Sequence, residues 1–258
     1  MPAQLSIYYI NLASRPERRE AMERQFHALG LVAQRIEAVT PTTIDADLLA
    51  TAIANGGRAS AALACTASHR LAYQTMLANG DTAALILEDD MDLSPALTDL
   101  VRQPWAGGVP FDLLRIERRA RPVLLGRWAH LGAVPIRQCL SPTAGTGGYV
   151  ISAKAAREMA THPLLTTEAI DKILFGYEGP CLFGMDVWHA VPALCQPAEL
   201  ASISDISPER RGRNKRKRTP GLARAWDKLG KAIASVNNMV VRRGALLHLE
   251  KVVVPFSK

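Results

Sequence analysis

The chain has 258 residues, 48% of them apolar and 21% charged, and a net charge of +7. It is long enough to bury a sizeable core as one large or two small domains, and its composition excludes a disordered or fibrous chain. No stretch approaches the roughly 20 apolar residues of a membrane span, and Met1-Pro2-Ala3-Gln4-Leu5 lacks the regions of a signal peptide. Cys65, Cys139, Cys181 and Cys195 form no C-x-x-C pair. Reduced thiols in a cytosol are therefore expected, with neither a disulfide framework nor a zinc site.

In chain order, residues 5–11 read as a first strand, rich in Ile and Tyr. Ser14-Arg15-Pro16-Glu17 then has the form of a capping box, with Ser14 as N-cap. Met22, Phe26 and Leu29 fall on one helical face, and Gly30 provides a C-terminal stop. A second strand is expected over residues 34–39, closing a parallel strand-helix-strand beginning. Residues 42–60 are rich in Thr, Ala and Gly, broken at Gly56-Gly57. Helical character covers 65–79.

Ala84-Leu85-Ile86-Leu87 then runs straight into Glu88-Asp89-Asp90-Met91-Asp92. Four apolar residues between turn signals suit a buried central strand of a parallel sheet. The acids then sit at its carboxyl end, the edge where open α/β sheets bind ligands. Adjacent carboxylates repel one another, and their hard oxygens suit Mg²⁺ or Mn²⁺. A solvated acidic turn is the alternative. Residues 111–116 read as a further buried strand. Gly145, Gly147 and Gly148 lead into residues 149–152, and a short helix follows over 153–160.

The C-terminal part differs in charge. Residues 208–258 carry 14 Lys/Arg against 3 Asp/Glu, a balance of +11; the other 207 residues carry 17 against 21, a balance of −4. Seven bases lie within 210–218, and Leu222, Trp226, Leu229, Ile233 and Val236 then recur at helical spacing. That is the pattern of a basic amphipathic helix on an anionic membrane surface. The competing readings are a helix packed on the main domain and a nucleic-acid contact. Nucleic acid is disfavoured by the acidic body and by 5% aromatics without a stacking pattern.

Four segments together resemble glycosyltransferase family 25, whose bacterial members build lipopolysaccharide or lipooligosaccharide. They are Tyr9-Ile10-Asn11-Leu12 with Arg15-Pro16-Glu17-Arg18-Arg19; Cys65-Thr66-Ala67-Ser68-His69; Leu85-Ile86-Leu87-Glu88-Asp89-Asp90; and Gly147-Gly148-Tyr149-Val150-Ile151-Ser152. The resemblance covers residues 5–200. It implies an α/β GT-A fold: a Rossmann-like, mixed and mostly parallel sheet with helices on both faces. A catalytic domain is expected over 1–206, followed by a basic linker and amphipathic helical tail over 207–258.

The activity implied is inverting, metal-dependent transfer of a hexose, galactose or glucose, from a UDP-sugar to a lipopolysaccharide or other lipid-linked glycan. Such an enzyme would be cytoplasmic and peripheral on the inner face of the membrane. The resemblance makes Asp90 the first choice of ligand for Mn²⁺ or Mg²⁺, with Glu88 as second. Glu88 or Asp89 would also face the ribose and the sugar. Asp90-Met91-Asp92 is a competing D-x-D frame. Asn11, Arg15 and Arg18 would bind nucleotide after the first strand, and Ser68, His69, Gly147 and Tyr149 would line the donor site. Gly145 and Gly148 would also allow close backbone approach to the sugar. An inverting transfer needs a base for the acceptor hydroxyl; Asp171 is preferred over Glu168, Glu178 and Asp186. A catalytically silent family member and a basic-tail nucleic-acid binder remain the alternatives, and a two-metal phosphohydrolase lacks its His-Asp cluster.

Overall fold

The computed structural model describes residues 5–105, 108–177, 179–198 and 249–257. Among them nine strands form a single sheet. The N-terminal third gives β1 (Ser6–Asn11), α1 (Pro16–Leu29), β2 (Gln34–Glu37), α2 (Ala46–Ala54), α3 (Ala61–Ala78) and β3 (Ala83–Glu88). Both β2 and β3 pair with β1 in parallel.

Then come β4 (Met91–Leu93), α4 (Leu97–Arg102), β5 (Leu113–Arg115), β6 (Val123–Leu131), β7 (Val134–Cys139) and β8 (Gly148–Ser152). They are followed by α5 (Ala153–Ala160), α6 (Ile170–Phe175), α7 (Cys181–Gly184), β9 (Val187–Ala190), β10 (Cys195–Pro197) and β11 (Glu250–Val252). The sheet is mixed. Its parallel pairs are β1–β2, β1–β3 and β5–β9; β8 lies antiparallel between β3 and β5, and the β6–β7 hairpin and β11 extend the far side in antiparallel fashion.

Period-two alternation divides the core. Tyr8, Ile10, Ala84, Ile86, Tyr149 and Ile151 join a cluster with α3, α5, α6 and α7. Ile7, Tyr9, Leu85, Leu87 and Val150 join the opposite cluster with α1 and α4. Helices thus cover both faces, and the central strands β1, β3 and β8 are buried almost without interruption, whereas edge strands β2 and β11 are polar and largely exposed.

Several local expectations change. Arg15, not Ser14, is the N-cap of α1, without a side-chain cap; Pro16 starts the helix, its fixed φ suiting the first position. Gly30 does close the helix in the left-handed region, φ 61°. Residues 42–60 contain α2, capped by Asp45 and packed on α3 through Leu48 and Ala52. Ser60 caps α3 and starts it before residue 65.

The expected tail over 207–258 does not stay apart to its end. Glu250–Val252 pairs with β6, and Val254 is buried in the main core. The basic run 210–218 and the stripe from Leu222 to Val236 lie outside the described residues. Among the described residues, no helix is long and apolar enough to cross a membrane.

Candidate functional site

Glu88 ends β3, Asp89 and Asp90 form the turn, and Met91 enters β4. Because β8 is antiparallel to both β3 and β5, the carboxyl ends of β3 and β5 point the same way. The acidic turn, the loop before β8 and the residues after β5 therefore meet at one sheet edge. Asp92 departs on β4, opposite Gln196 of β10, away from the turn.

Each acid has a different environment. Strand alternation points Glu88 toward α3. Its Oε1 accepts from Thr146 Oγ1 at 2.6 Å and lies 3.5 Å from His69 Nε2. Burial would raise this carboxyl, but His69 and Thr146 outweigh it and hold it below its usual range. Asp89 faces α1: Oδ2 accepts from Asn11 Nδ2 at 2.7 Å and Oδ1 from Arg18 Nη1 at 3.3 Å. Burial nonetheless raises it.

Among the described residues, no side chain hydrogen-bonds or pairs with the Asp90 carboxylate. Burial first, and then the charge of Glu88, push it up to about 7. A hard cation beside Asp90 would relieve both penalties, so the oxygen donors present fit Mg²⁺ or Mn²⁺.

Around this turn stand groups that sequence reasoning missed. Glu117, just past β5, is buried yet accepts from Arg115 Nη2 at 2.7 Å and Gly147 N at 3.0 Å and forms an ion pair with Arg119, whose Nε lies 2.8 Å away. Gly147 in turn accepts from the Glu88 amide at 3.0 Å. Arg115 also donates to Ala144 O at 2.7 Å and Gly145 O at 2.8 Å, and its guanidinium lies over Phe175. These bonds fix the loop that carries Thr146 to Glu88. The only sequence signal was a run of alternating charges, Arg115-Ile116-Glu117, leaving an apolar strand.

Other candidate residues divide by position. Asn11 is buried; Arg35 Nε donates to its Oδ1 at 2.9 Å while its Nδ2 reaches Asp89, so it aims the acid. Arg15 lies at the start of α1, 3.9 Å from Glu17. Ser68 is buried, donating to Ala64 O and accepting from Val39 N, both at 2.8 Å; it ties α3 to the segment after β2 and lines no open site. Tyr149 is also fully buried, its hydroxyl 2.7 Å from His69 Nδ1 and 2.6 Å from Tyr73 Oη. It supports His69 from behind rather than lining the donor site.

At Gly147 and Gly148 protein packing already demands a glycine. A Cβ would strike Met91 Sδ at the first and Cys195 Sγ at the second. Gly145, at φ 91°, passes close under the Arg119 guanidinium.

Of the candidate bases, Asp171 borders this edge, its Oδ2 3.4 Å from Gly145 N, one residue before Thr146. Glu168 pairs with Lys172 at 2.7 Å on an exposed turn. Asp186 sits at the amino end of β9, bonded to Trp188 Nε1. Since β9 is parallel to β5, that is the opposite sheet edge, which removes Asp186 as a base here. Glu178 lies outside the described residues. A cavity of about 300 Å³ also opens at that opposite edge, lined by Asp81, Lys154 and Arg157 among others. Two of its charges already have partners: Ser6 and Tyr8 hold Asp81, and Asp112 holds Lys154.

Residues 4–106 match the family model described as "Glycosyltransferase family 25 (LPS biosynthesis protein)". No curated protein sequence matches the chain. Among solved structures, the chain is similar to a glycosyltransferase involved in the glycosylation of the major capsid of PBCV-1, at 12% identity and a TM-score of 0.45, covering 80% of this chain and 98% of that one. It is also similar to mannose-1-phosphate geranyltransferase from Thermus thermophilus, at 12% identity and a TM-score of 0.41, covering 74% and 75%.

Proposed function

We infer that this chain, a glycosyltransferase of family 25 by its residues 4–106, moves galactose or glucose from a UDP-sugar to a lipid-linked glycan of the lipopolysaccharide type, with inversion. The observation that carries this reading is the unequal use of three acids at one sheet edge. Glu88 and Asp89 each meet a protein hydrogen-bond donor, while half-buried Asp90 meets none through its carboxylate among the described residues. A nucleotide diphosphate with its cation is the ligand chemistry that such an edge accepts.

Asp90, with Glu88 beside it, would hold Mn²⁺ or Mg²⁺, which when bound supplies charge neutralisation to the leaving diphosphate. Asn11 and Arg18 hold Asp89 in place for the ribose side of the donor. Arg15 and Arg18, just past β1, are set to pair with phosphate oxygens. Asp171 takes the proton from the acceptor hydroxyl as that oxygen attacks the anomeric carbon and the bond to the diphosphate breaks. The bases of 210–218 and the apolar stripe beyond them would hold the enzyme at the inner membrane face, where a lipid-linked acceptor resides.

Calorimetry of UDP with the whole chain tests the reading. Binding should strengthen with Mn²⁺, and Asp90→Asn should remove that dependence while leaving the circular dichroism spectrum unchanged. Equal metal dependence in the variant would overturn the assignment of Asp90. A panel of nucleotide sugars with Mn²⁺ then identifies the donor.

A further inference from the structure

We propose that Cys65, His69 and Glu88 form a second, softer cation site, suited to Zn²⁺, behind the acidic turn. Cys65 and His69 stand four residues apart on α3 and so share one helix face. Glu88 approaches that face from the end of β3. One ligand atom from each of the three lies within 4.8 Å of the others.

His69 supplies the independent observation. It is fully buried, and its Nε2 has no hydrogen-bond partner among the described residues although it points at Glu88 Oε1, 3.5 Å away. Leaving such a nitrogen unpaired costs about 1–3 kcal/mol. The other ring nitrogen, Nδ1, is held by Tyr149 Oη at 2.7 Å, which Tyr73 Oη backs at 2.6 Å. A hydrogen-bonded far nitrogen is how proteins orient a metal-binding imidazole.

The donor set selects the ion. Thiolate sulfur, imidazole nitrogen and a carboxylate oxygen are all zinc ligands, with bonds of about 2.0–2.3 Å, so tetrahedral ligand atoms stand roughly 3.3–3.8 Å apart. The present spacing requires a contraction of about 1 Å, which the half-buried Cys65 side chain can supply. Three protein ligands leave a fourth position open, the pattern of reactive rather than purely structural zinc. The oxygen-only surroundings of Asp90 favour Mg²⁺ or Mn²⁺ instead, so the two sites differ in softness. Glu88 is common to both, but occupancy of the softer site is read without any sugar transfer, so either reading can fail alone.

The test uses the whole reduced chain, stripped with a chelator and titrated with Co²⁺. A stoichiometric thiolate-to-cobalt charge-transfer band is expected, displaced by Zn²⁺ and absent in Cys65→Ser. Competition with a chromophoric chelator should show zinc affinity at least about 10-fold weaker in His69→Gln, and about 10-fold weaker or more in Tyr149→Phe. Asp90→Asn should keep the band. No band in the parent chain, a band retained in Cys65→Ser, or a band lost in Asp90→Asn would each overturn the site. Circular dichroism checks folding, and the conservative change at half-buried Cys65 keeps the test decisive if the His69 variant unfolds.

Discussion

Asp171 and Glu117 act on the same loop from two sides, and substitutions separate their roles. Asp171 meets the Gly145 amide at 3.4 Å. Asp171→Asn can keep that contact, so donor affinity should hold while kcat falls about 10²-fold or more, as expected for loss of a general base. Near-normal turnover would exclude it. Glu117, by contrast, compensates two arginines and the Gly147 amide in the interior. Glu117→Ala leaves buried Arg115 without its counter-charge and should cost about 3–5 kcal/mol of stability, read by urea unfolding. An unchanged midpoint would show that backbone carbonyls alone satisfy Arg115.

His189 sets a pH limit at the same scale. Burial, and then the nearby Arg115 charge, lower its pKa from 6.5 to about 3. The unfolded chain therefore binds this proton more readily than the folded one between those values. Stability from this group is complete above about pH 6.5 and falls as pH drops toward about 3, by at most about 1.4 kcal/mol per unit. In His189→Gln, the stability lost between about pH 7 and about pH 5 should shrink. An equal loss in both proteins would assign acid sensitivity to other groups.

At the scale of elements, β11 closes an edge that β6 would otherwise expose. Its Glu250 pairs with Arg137 Nη1 at 2.5 Å, but that carboxylate is 59% exposed, and Arg137 also donates to Gly126 O and Leu125 O. Glu250→Gln should therefore cost only about 1 kcal/mol or less. Removing residues 249–258 should cost more, since it takes away the buried side chain of Val254, alone worth about 1.5–3 kcal/mol, and leaves the β6 edge without its strand hydrogen bonds. Denaturant midpoints check both. Equal stability of the truncated chain would mean that β11 is only appended to the sheet.

For the whole molecule, the separation of charge is the guiding quantity. A body of −4 and a C-terminal segment of +11 predict binding to anionic vesicles through the segment. Each base near such a surface contributes about 1 kcal/mol, and screening over roughly 8 Å weakens it at physiological salt. Replacing the seven bases of 210–218 with Ser and Gln should reduce vesicle binding more than about 10-fold, with thermal stability unchanged. This design keeps β11, which truncation near residue 207 would remove. Undiminished vesicle binding, or tight DNA binding with none to vesicles at low salt, would defeat the membrane reading.

The sequence by itself determined what local periodicity encodes. Apolar runs located β1, β3 and the acids at its end; helical spacing located α1, with Gly30 at its C-terminus, while its N-cap was misplaced by one residue. Burial on both sheet faces leaves that imprint in consecutive residues. Only the tertiary structure decided which distant groups meet. The antiparallel insertion of β8 between β3 and β5 brings Thr146, Gly147 and Glu117 beneath the acidic turn. It also turns Tyr149 inward onto His69, and the pairing of α3 with β3 gathers Cys65, His69 and Glu88. A side chain's own segment fixes which face it points from, whereas its partner depends on the path of the whole chain, and no short-range pattern records that path.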